Sequence, residues 1–245
     1  MATTLSCAIL FSGNGSNMQH LIESLHHKRF KSRQKDTAQE YEIEITLTLC
    51  NNPSAYGITR TKNLGVPCEI LPHKHFATRE DFDKAMINIL HTHKIEYIFL
   101  AGFMRILTPA FTQKFKIINI HPSFLPEYKG AHAIKDSFYS SSSYGGVSVH
   151  WVNEELDGGE VILQEKVVKL PNDNLETFEA RIHECEYSLY PRAILHALGL
   201  NEADSQDFRA TDSIRTESKL TDSHITESTS FSPAQSKTST HKVSQ

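Results

Sequence analysis

Short apolar runs alternate with stretches of helical spacing over the first two hundred residues, and this alternation limits the fold more than any other feature. Ser6–Phe11 (SCAILF) reads as a buried strand, with Asn17–His26 as the helix behind it. Glu42–Cys50 alternates like a strand, Ala55–Leu64 is a short helix and Val66–Leu71 a further strand. Arg79–His93 carries Phe82, Met86, Ile89 and Leu90 at helical spacing, and Ile95–Ala101 and Lys116–Ile120 are apolar strands. A β-α-β-α-β-α-β order predicts an α/β fold whose sheet is mostly parallel, with helices on both faces. Val147–Val152 and Val161–Leu170 read as C-terminal strands joined by the turn-rich Asn153–Gly159, and Leu175–Leu198 as a long final helix. The charged His27–Tyr41 reads as a surface excursion.

Composition sets the limits of the folded unit. In the last 45 residues, 201–245, ten Ser and seven Thr stand beside only nine apolar residues. So little apolar surface cannot offset the entropy of ordering the segment. A five-residue repeat (Thr211-Asp212-Ser213, Thr216-Glu217-Ser218, Thr221-Asp222-Ser223, Thr226-Glu227-Ser228) fits neither strand nor helix. The expectation is one domain over 1–200 and a disordered Ser/Thr-rich tail over 201–245. With 25 Lys+Arg against 29 Asp+Glu the net charge is −4, which argues against nucleic acid as a partner. The longest apolar run, Tyr97–Met104, is far short of the roughly 20 residues that span a bilayer, so no membrane partner is expected. The N-terminus lacks the basic region of a signal peptide, and the scattered Cys7, Cys50, Cys68 and Cys185 suit reduced thiols, so a cytoplasmic location is expected.

A Rossmann-like sheet takes its ligands beyond the carboxyl ends of its strands. After the first strand comes Ser12-Gly13-Asn14-Gly15-Ser16-Asn17. Glycines there admit a ligand close to the backbone, and free N–H groups at a helix start favour an anion such as a phosphate monoester. Equally, Ser16 and Asn17 are good helix caps, and a cap needs no ligand. Met18 replaces the third small residue of a dinucleotide fingerprint, and the Gly-Lys-Ser/Thr of a P-loop is absent.

The fifth strand of the series leads into Asn119-Ile120-His121-Pro122-Ser123. Residues two apart share a face, so Asn119 and His121 point together: a neutral amide donor beside a proton-exchanging imidazole. Asp157, in Leu156-Asp157-Gly158-Gly159, is an acid on a glycine-rich turn that could orient and charge that histidine. Each feature alone reads as a strand end or a turn. Glu186, among Cys185, Tyr187 and Leu189, is either a half-buried acid or a surface charge. His73-x-His75 and His91-x-His93 read as surface histidines, and no metal is expected. The serines at 140–143 read as a mobile loop.

Together, SGNGSN (Ser12–Asn17), AGFMRIL (Ala101–Leu107), NIHPSFLP (Asn119–Pro126), GGVSVHWV (Gly145–Val152) and LDGG (Leu156–Gly159) resemble the phosphoribosylglycinamide formyltransferase family from about Leu5 to Leu198. The Asn-x-His-Pro-Ser motif with a later Asp is shared with the methionyl-tRNA formyltransferases and formyltetrahydrofolate hydrolases, while SGNGSN points to the purine enzymes. The resemblance implies that Gly15, Ser16 and Asn17 hold a ribose 5-phosphate and that Glu186 faces the glycinamide side. It implies that Met104, Arg105, Ile106 and Leu107 line a pterin pocket, with Arg79 nearer the folate's other contacts. Asn119, which also borders the folate, would form the catalytic group with His121 and Asp157.

The implied co-substrate is 10-formyltetrahydrofolate and the implied acceptor is glycinamide ribonucleotide, with no metal and no obligate protein partner. The acceptor amine would attack the formyl carbon, and Asn119 and protonated His121 would donate to the resulting oxyanion, each worth roughly 3–4 kcal/mol. Asp157 would keep His121 charged and organise a water that relays the proton. Two rivals remain. A hydrolase is expected to carry a regulatory domain before its first strand, for which this sequence leaves no room. A non-catalytic nucleotide-binding module has no need of the Asn119/His121/Asp157 set.

Overall fold

The computed structural model of the chain describes residues 2–34 and 39–202. Among the described residues nine strands form one sheet: β1 Thr3–Phe11, β2 Lys28–Ser32, β3 Glu40–Cys50, β4 Cys68–Ile70, β5 Tyr97–Leu100, β6 Lys116–His121, β7 Tyr144–Trp151, β8 Val161–Val168 and β9 Leu200–Glu202. Their order is β8-β7-β6-β5-β1-β3-β2-β9, with β4 paired to the far end of β3. β1, β3, β4, β5 and β6 are parallel, as the β-α alternation requires. The helices are α1 Ser16–Leu25, α2 Gly57–Leu64, α3 Arg79–Thr92, α4 Pro109–Thr112, α5 Ala133–Tyr139 and α6 Leu175–Ala197.

Two cores sandwich the sheet. Cys7, Ile9 and Phe11 of β1 face α1 and α6, while Ala8 and Leu10 face α3 and α4. β3 departs from its sequence pattern. Ile43, Ile45, Leu47 and Leu49 are spaced for one face, yet the first pair joins the α1/α6 core and the second the α3/α4 core. The register shifts here: Cys7 pairs with Ile45 but Ala8 with Leu47, so Thr46 is an extra residue that turns the strand over. The four aliphatic side chains thus divide between the two cores, which unbroken alternation would not allow.

The structure corrects two expectations. Within the charged excursion, Lys28–Ser32 is β2, antiparallel to β3 and to β9, with Phe30 buried between charged neighbours. One inward aromatic suffices for a short strand beside the edge strand β9, whose outer face meets water. The serines at 140–143 form a hydrogen-bonded turn: Ser140 Oγ donates to Ser137 O, Ser142 Oγ donates to Tyr144 O, and Lys169 Nζ caps the carbonyls of Ser137, Phe138 and Ser140. The repeats of the Ser/Thr-rich tail lie outside the described residues, and β9 straddles the expected boundary at 200.

Two features fix the carboxyl edge of the sheet. β1 lies between β3 and β5, so the connections after β1 and β5 diverge and leave a crevice at the switch point. Tyr190, fully buried in α6, donates its hydroxyl to the carbonyls of Leu100 and Ile118, both at 2.9 Å. The single hydroxyl hydrogen is shared between the end of β5 and the middle of β6 and ties the long helix to the strands that carry the site.

Candidate active site

β6 turns Ile118 and Ile120 into the α1/α6 core, which leaves Asn119 and His121 on the opposite face, together as the period of two requires. β7 runs antiparallel beside it, placing His150 opposite Asn119 and Ser148 opposite His121. Asn119 Nδ2 lies 3.1 Å from His150 Nε2, and His150 Nδ1 lies 2.8 Å from the Trp151 carbonyl. The carbonyl takes the Nδ1 hydrogen, so Nε2 is the acceptor and the amide must donate to it. Burial holds the His150 pKa below its ordinary value, which agrees with this neutral tautomer. Sequence reading missed His150. The signal was present in the GGVSVHWV motif, where the strand alternation puts His150 on the face opposite to Val149, but the pairing with Asn119 needs the strand register.

Asp157 enters from the turn between β7 and β8. Its φ is 48°, in the left-handed region that side-chain-bearing residues seldom adopt. Two residues on, a Cβ at Gly159 would stand 1.7 Å from the Trp151 carbonyl, so only glycine lets the turn press against β7. The result is a carboxylate 8% exposed: Oδ2 accepts from Gly130 N at 2.9 Å and lies 3.5 Å from His121 Nδ1, while Oδ1 lies 3.8 Å from His150 Nε2. His121 Nε2 lies 2.9 Å from the Tyr128 carbonyl, so both of its ring nitrogens face oxygen acceptors. Lys129 Nζ, 2.7 Å from Glu155, holds the same loop against the Asp157 turn and keeps the Glu155 carboxyl below its ordinary range.

At the crevice, Ser12 joins two loops. Its N–H donates to the Gly102 carbonyl, and its Oγ accepts from Met104 N at 2.8 Å. Gly15, at φ 75°, is the residue before α1, and no side chain caps the helix. Ser16 and Asn17 are therefore its first residues, not its caps, and the first-turn N–H groups stay open to an anion. Arg60 of α2, another residue the sequence did not flag, binds the Asn14 carbonyl at 2.9 Å and also reaches Asn14 Oδ1 and Gln19 Oε1. Asn17 Nδ2 donates at 3.0 Å to Glu186 Oε2, which also lies 2.7 Å from His183 Nδ1. Glu186 is 4% exposed, so the acid is buried with two partners.

The stretch from Ala101 to Thr108 spans the other side of the crevice, anchored at one end by Ser12 and at the other by Asp83 Oδ2, which accepts from Thr108 N at 2.7 Å. Between these anchors Met104 and Ile106 are 67% and 55% exposed, an apolar strip beside the crevice, with Arg105 and Leu107 partly covered. Arg79 stands exposed at the start of α3, one turn before Asp83. Among the described residues, no group of three or more His, Cys, Asp or Glu could hold a metal ion.

Comparison with known proteins gives a consistent result. Residues 5–194 match the family described as formyl transferase. A phosphoribosylglycinamide formyltransferase of Haemophilus influenzae is 38% identical over 189 residues, covering 76% of this chain and 84% of that protein. A trifunctional purine biosynthetic protein adenosine-3 of Chironomus tentans is 42% identical over 188 residues, but this chain spans only 13% of its length. The crystal structure of phosphoribosylglycinamide formyltransferase from Campylobacter jejuni superposes with a TM-score of 0.74 at 44% identity, covering 81% of this chain and all of that one.

Proposed function

This chain belongs to the formyl transferase family, and from that premise we propose that it transfers the formyl group of 10-formyltetrahydrofolate to the amine of 5-phosphoribosyl-glycinamide, giving formylglycinamide ribonucleotide in purine synthesis. The observation that carries this reading is the buried Asp157 carboxylate set between His121 and His150, with Asn119 fixed on His150, at the mouth of a crevice that has an open helix start on one side and an apolar strip on the other.

The residues divide the work. The first-turn N–H groups after Gly15, with Ser16 and Asn17, take the substrate phosphate, and Glu186 faces the rest of the nucleotide. Met104, Ile106 and Leu107 offer apolar surface to a flat ring system, and Arg105 and Arg79 offer charge to the folate's acidic end. The formyl donor supplies an activated amide carbon to the attacking amine. Asn119 spends one amide hydrogen on His150 and keeps the second for the oxygen that gains charge. His121 releases the Tyr128 carbonyl to donate to the same oxygen, while Asp157 holds its other nitrogen and passes a proton from the amine to the departing nitrogen through water. Four free cysteines support a reducing, cytoplasmic setting.

Incubating the protein with 10-formyltetrahydrofolate, with and without glycinamide ribonucleotide, tests the proposal. Formyl transfer that depends on the acceptor is expected. Hydrolysis without the acceptor points to the hydrolase reading, and an unchanged donor in both mixtures defeats catalysis altogether.

A further inference from the structure

We propose that His183 is a further residue of the nucleotide side of the site, a positively charged clamp that holds the Glu186 carboxylate in place beside the phosphate loop and makes nucleotide affinity depend on pH. The inference rests on the reading of Gly15, Ser16, Asn17 and Glu186 as nucleotide contacts.

The geometry comes first. His183 and Glu186 are three residues apart on α6, so they meet on one face of the helix. Nδ1 lies 2.7 Å from Glu186 Oε2, and Nε2 lies 3.6 Å from Glu179 Oε1, so a carboxylate faces each ring nitrogen. The groups around the ring are Glu179, Glu186 and the Tyr187 ring (centroid at 6.3 Å) from α6, and from α1 Asn17, which shares the Glu186 oxygen, and His20, which stacks on Tyr187 at 3.8 Å. His183 is 38% exposed on its side chain against 5% for Glu186, so the histidine can exchange protons with solvent while the acid cannot be hydrated freely. The hydrogen bond to Glu186 raises the His183 pKa above its ordinary 6.5, outweighing the burial that lowers it.

Charge makes this arrangement necessary. A buried carboxylate bonded to the Asn17 side chain lies beside the helix start that is to take a phosphate dianion, and two neighbouring anions repel. Protonated His183 cancels the Glu186 charge and fixes which way its oxygens point. When the ring loses its proton the hydrogen bond can persist, but the cancellation is lost. Linkage then requires the reverse effect as well: a bound phosphate raises the His183 pKa.

Titration calorimetry with ribose 5-phosphate between pH 7 and 9.5 isolates the effect, since the probe has no amine and its second phosphate ionisation, near pH 6, is already about nine-tenths complete at pH 7. The wild-type protein should weaken by about fivefold across this range, the scale of one partly screened charge. His183→Gln, which keeps a donor for Glu186 but no charge, should bind at pH 7 about as weakly as wild type at pH 9.5 and show a flat profile. In a histidine NMR titration, saturating ribose 5-phosphate should move the His183 midpoint upward. Parallel pH profiles for the two proteins, or a His183 midpoint indifferent to the probe, would overturn the clamp and leave the nucleotide site intact. No binding by wild type at any pH would overturn the phosphate-loop assignment, and the clamp with it.

Discussion

Asn119 and His150 face each other across the antiparallel register of β6 and β7, with the amide nitrogen of one 3.1 Å from the unprotonated ring nitrogen of the other. The Trp151 carbonyl decides this by taking the Nδ1 hydrogen. An asparagine amide has no preferred orientation of its own, and His150 gives it one, turning Nδ2 rather than Oδ1 toward the strand end.

His150→Ala should therefore lower kcat by about tenfold to a hundredfold with little change in either KM, since Asn119 stays but is free to rotate. His150→Gln, which can offer an oxygen to the same amide hydrogen, should recover part of that loss. Steady-state kinetics on both variants checks the order wild type, Gln, Ala; equal losses would show that His150 only fills space.

Replacing the groups proposed to meet the reacting oxygen should cost more. Asn119→Ala and His121→Ala should each reduce kcat by about 10²-fold or more while the nucleotide and the formyl donor still bind. Asp157→Asn keeps the turn and one oxygen for Gly130 N, but it removes the charge between the two histidines. Turnover should fall at least as far as in the single donor variants, with melting temperature nearly unchanged. Wild-type turnover in Asp157→Asn would reduce the acid to a turn residue.

The loop proposed to take the phosphate offers an internal control. A Cβ on Gly15 would lie 2.8 Å from both Gly57 Cα and Met18 Cε, at a φ of 75°, so any substitution there disturbs the α1–α2 packing as well as the ligand face. Gly13 has nothing within 4 Å of such a Cβ and an ordinary φ. Gly13→Val should keep the fold and weaken nucleotide binding while leaving the formyl donor unaffected, whereas Gly15→Val should lose both with its stability. Calorimetry with each ligand and a thermal melt separate the two outcomes.

The contrast shows what the sequence could convey. The parallel core was legible because each of its strands is a short apolar run followed by a helix, and Asn119 with His121 because strand spacing is local. What escaped depends on partners distant in sequence. β2 hides a single inward Phe30 in a charged stretch, and the bulge at Thr46 is set by the neighbouring strand. Arg60 and His150 gain meaning only from the loops and strands they meet 46 and 31 residues away.

Asp83 poses the last test, because its acid is buried at 2% exposure with the Thr108 N–H as its bonded partner. Burial raises its pKa above its ordinary value of 3.8, against the lowering effect of the Thr108 hydrogen bonds. A carboxyl whose folded pKa is raised prefers its protonated form in the folded state, so the charge costs stability above that pKa and the cost vanishes as pH falls toward 3.8. Asp83→Asn keeps an oxygen for Thr108 N without the charge. Its melting temperature should equal or exceed that of wild type by about 2–4 °C at pH 7.5, for roughly 1 kcal/mol, and the gap should close as the buffer is acidified. Asp83→Leu removes the acceptor, strands a buried N–H and should cost about 1–3 kcal/mol. Because Thr108 anchors the strip that carries Met104 and Ile106, the Leu variant should also raise KM for the formyl donor while sparing KM for the nucleotide. A Leu variant with unchanged stability and unchanged donor KM would mean that the strip is held by its other anchor, Ser12, alone.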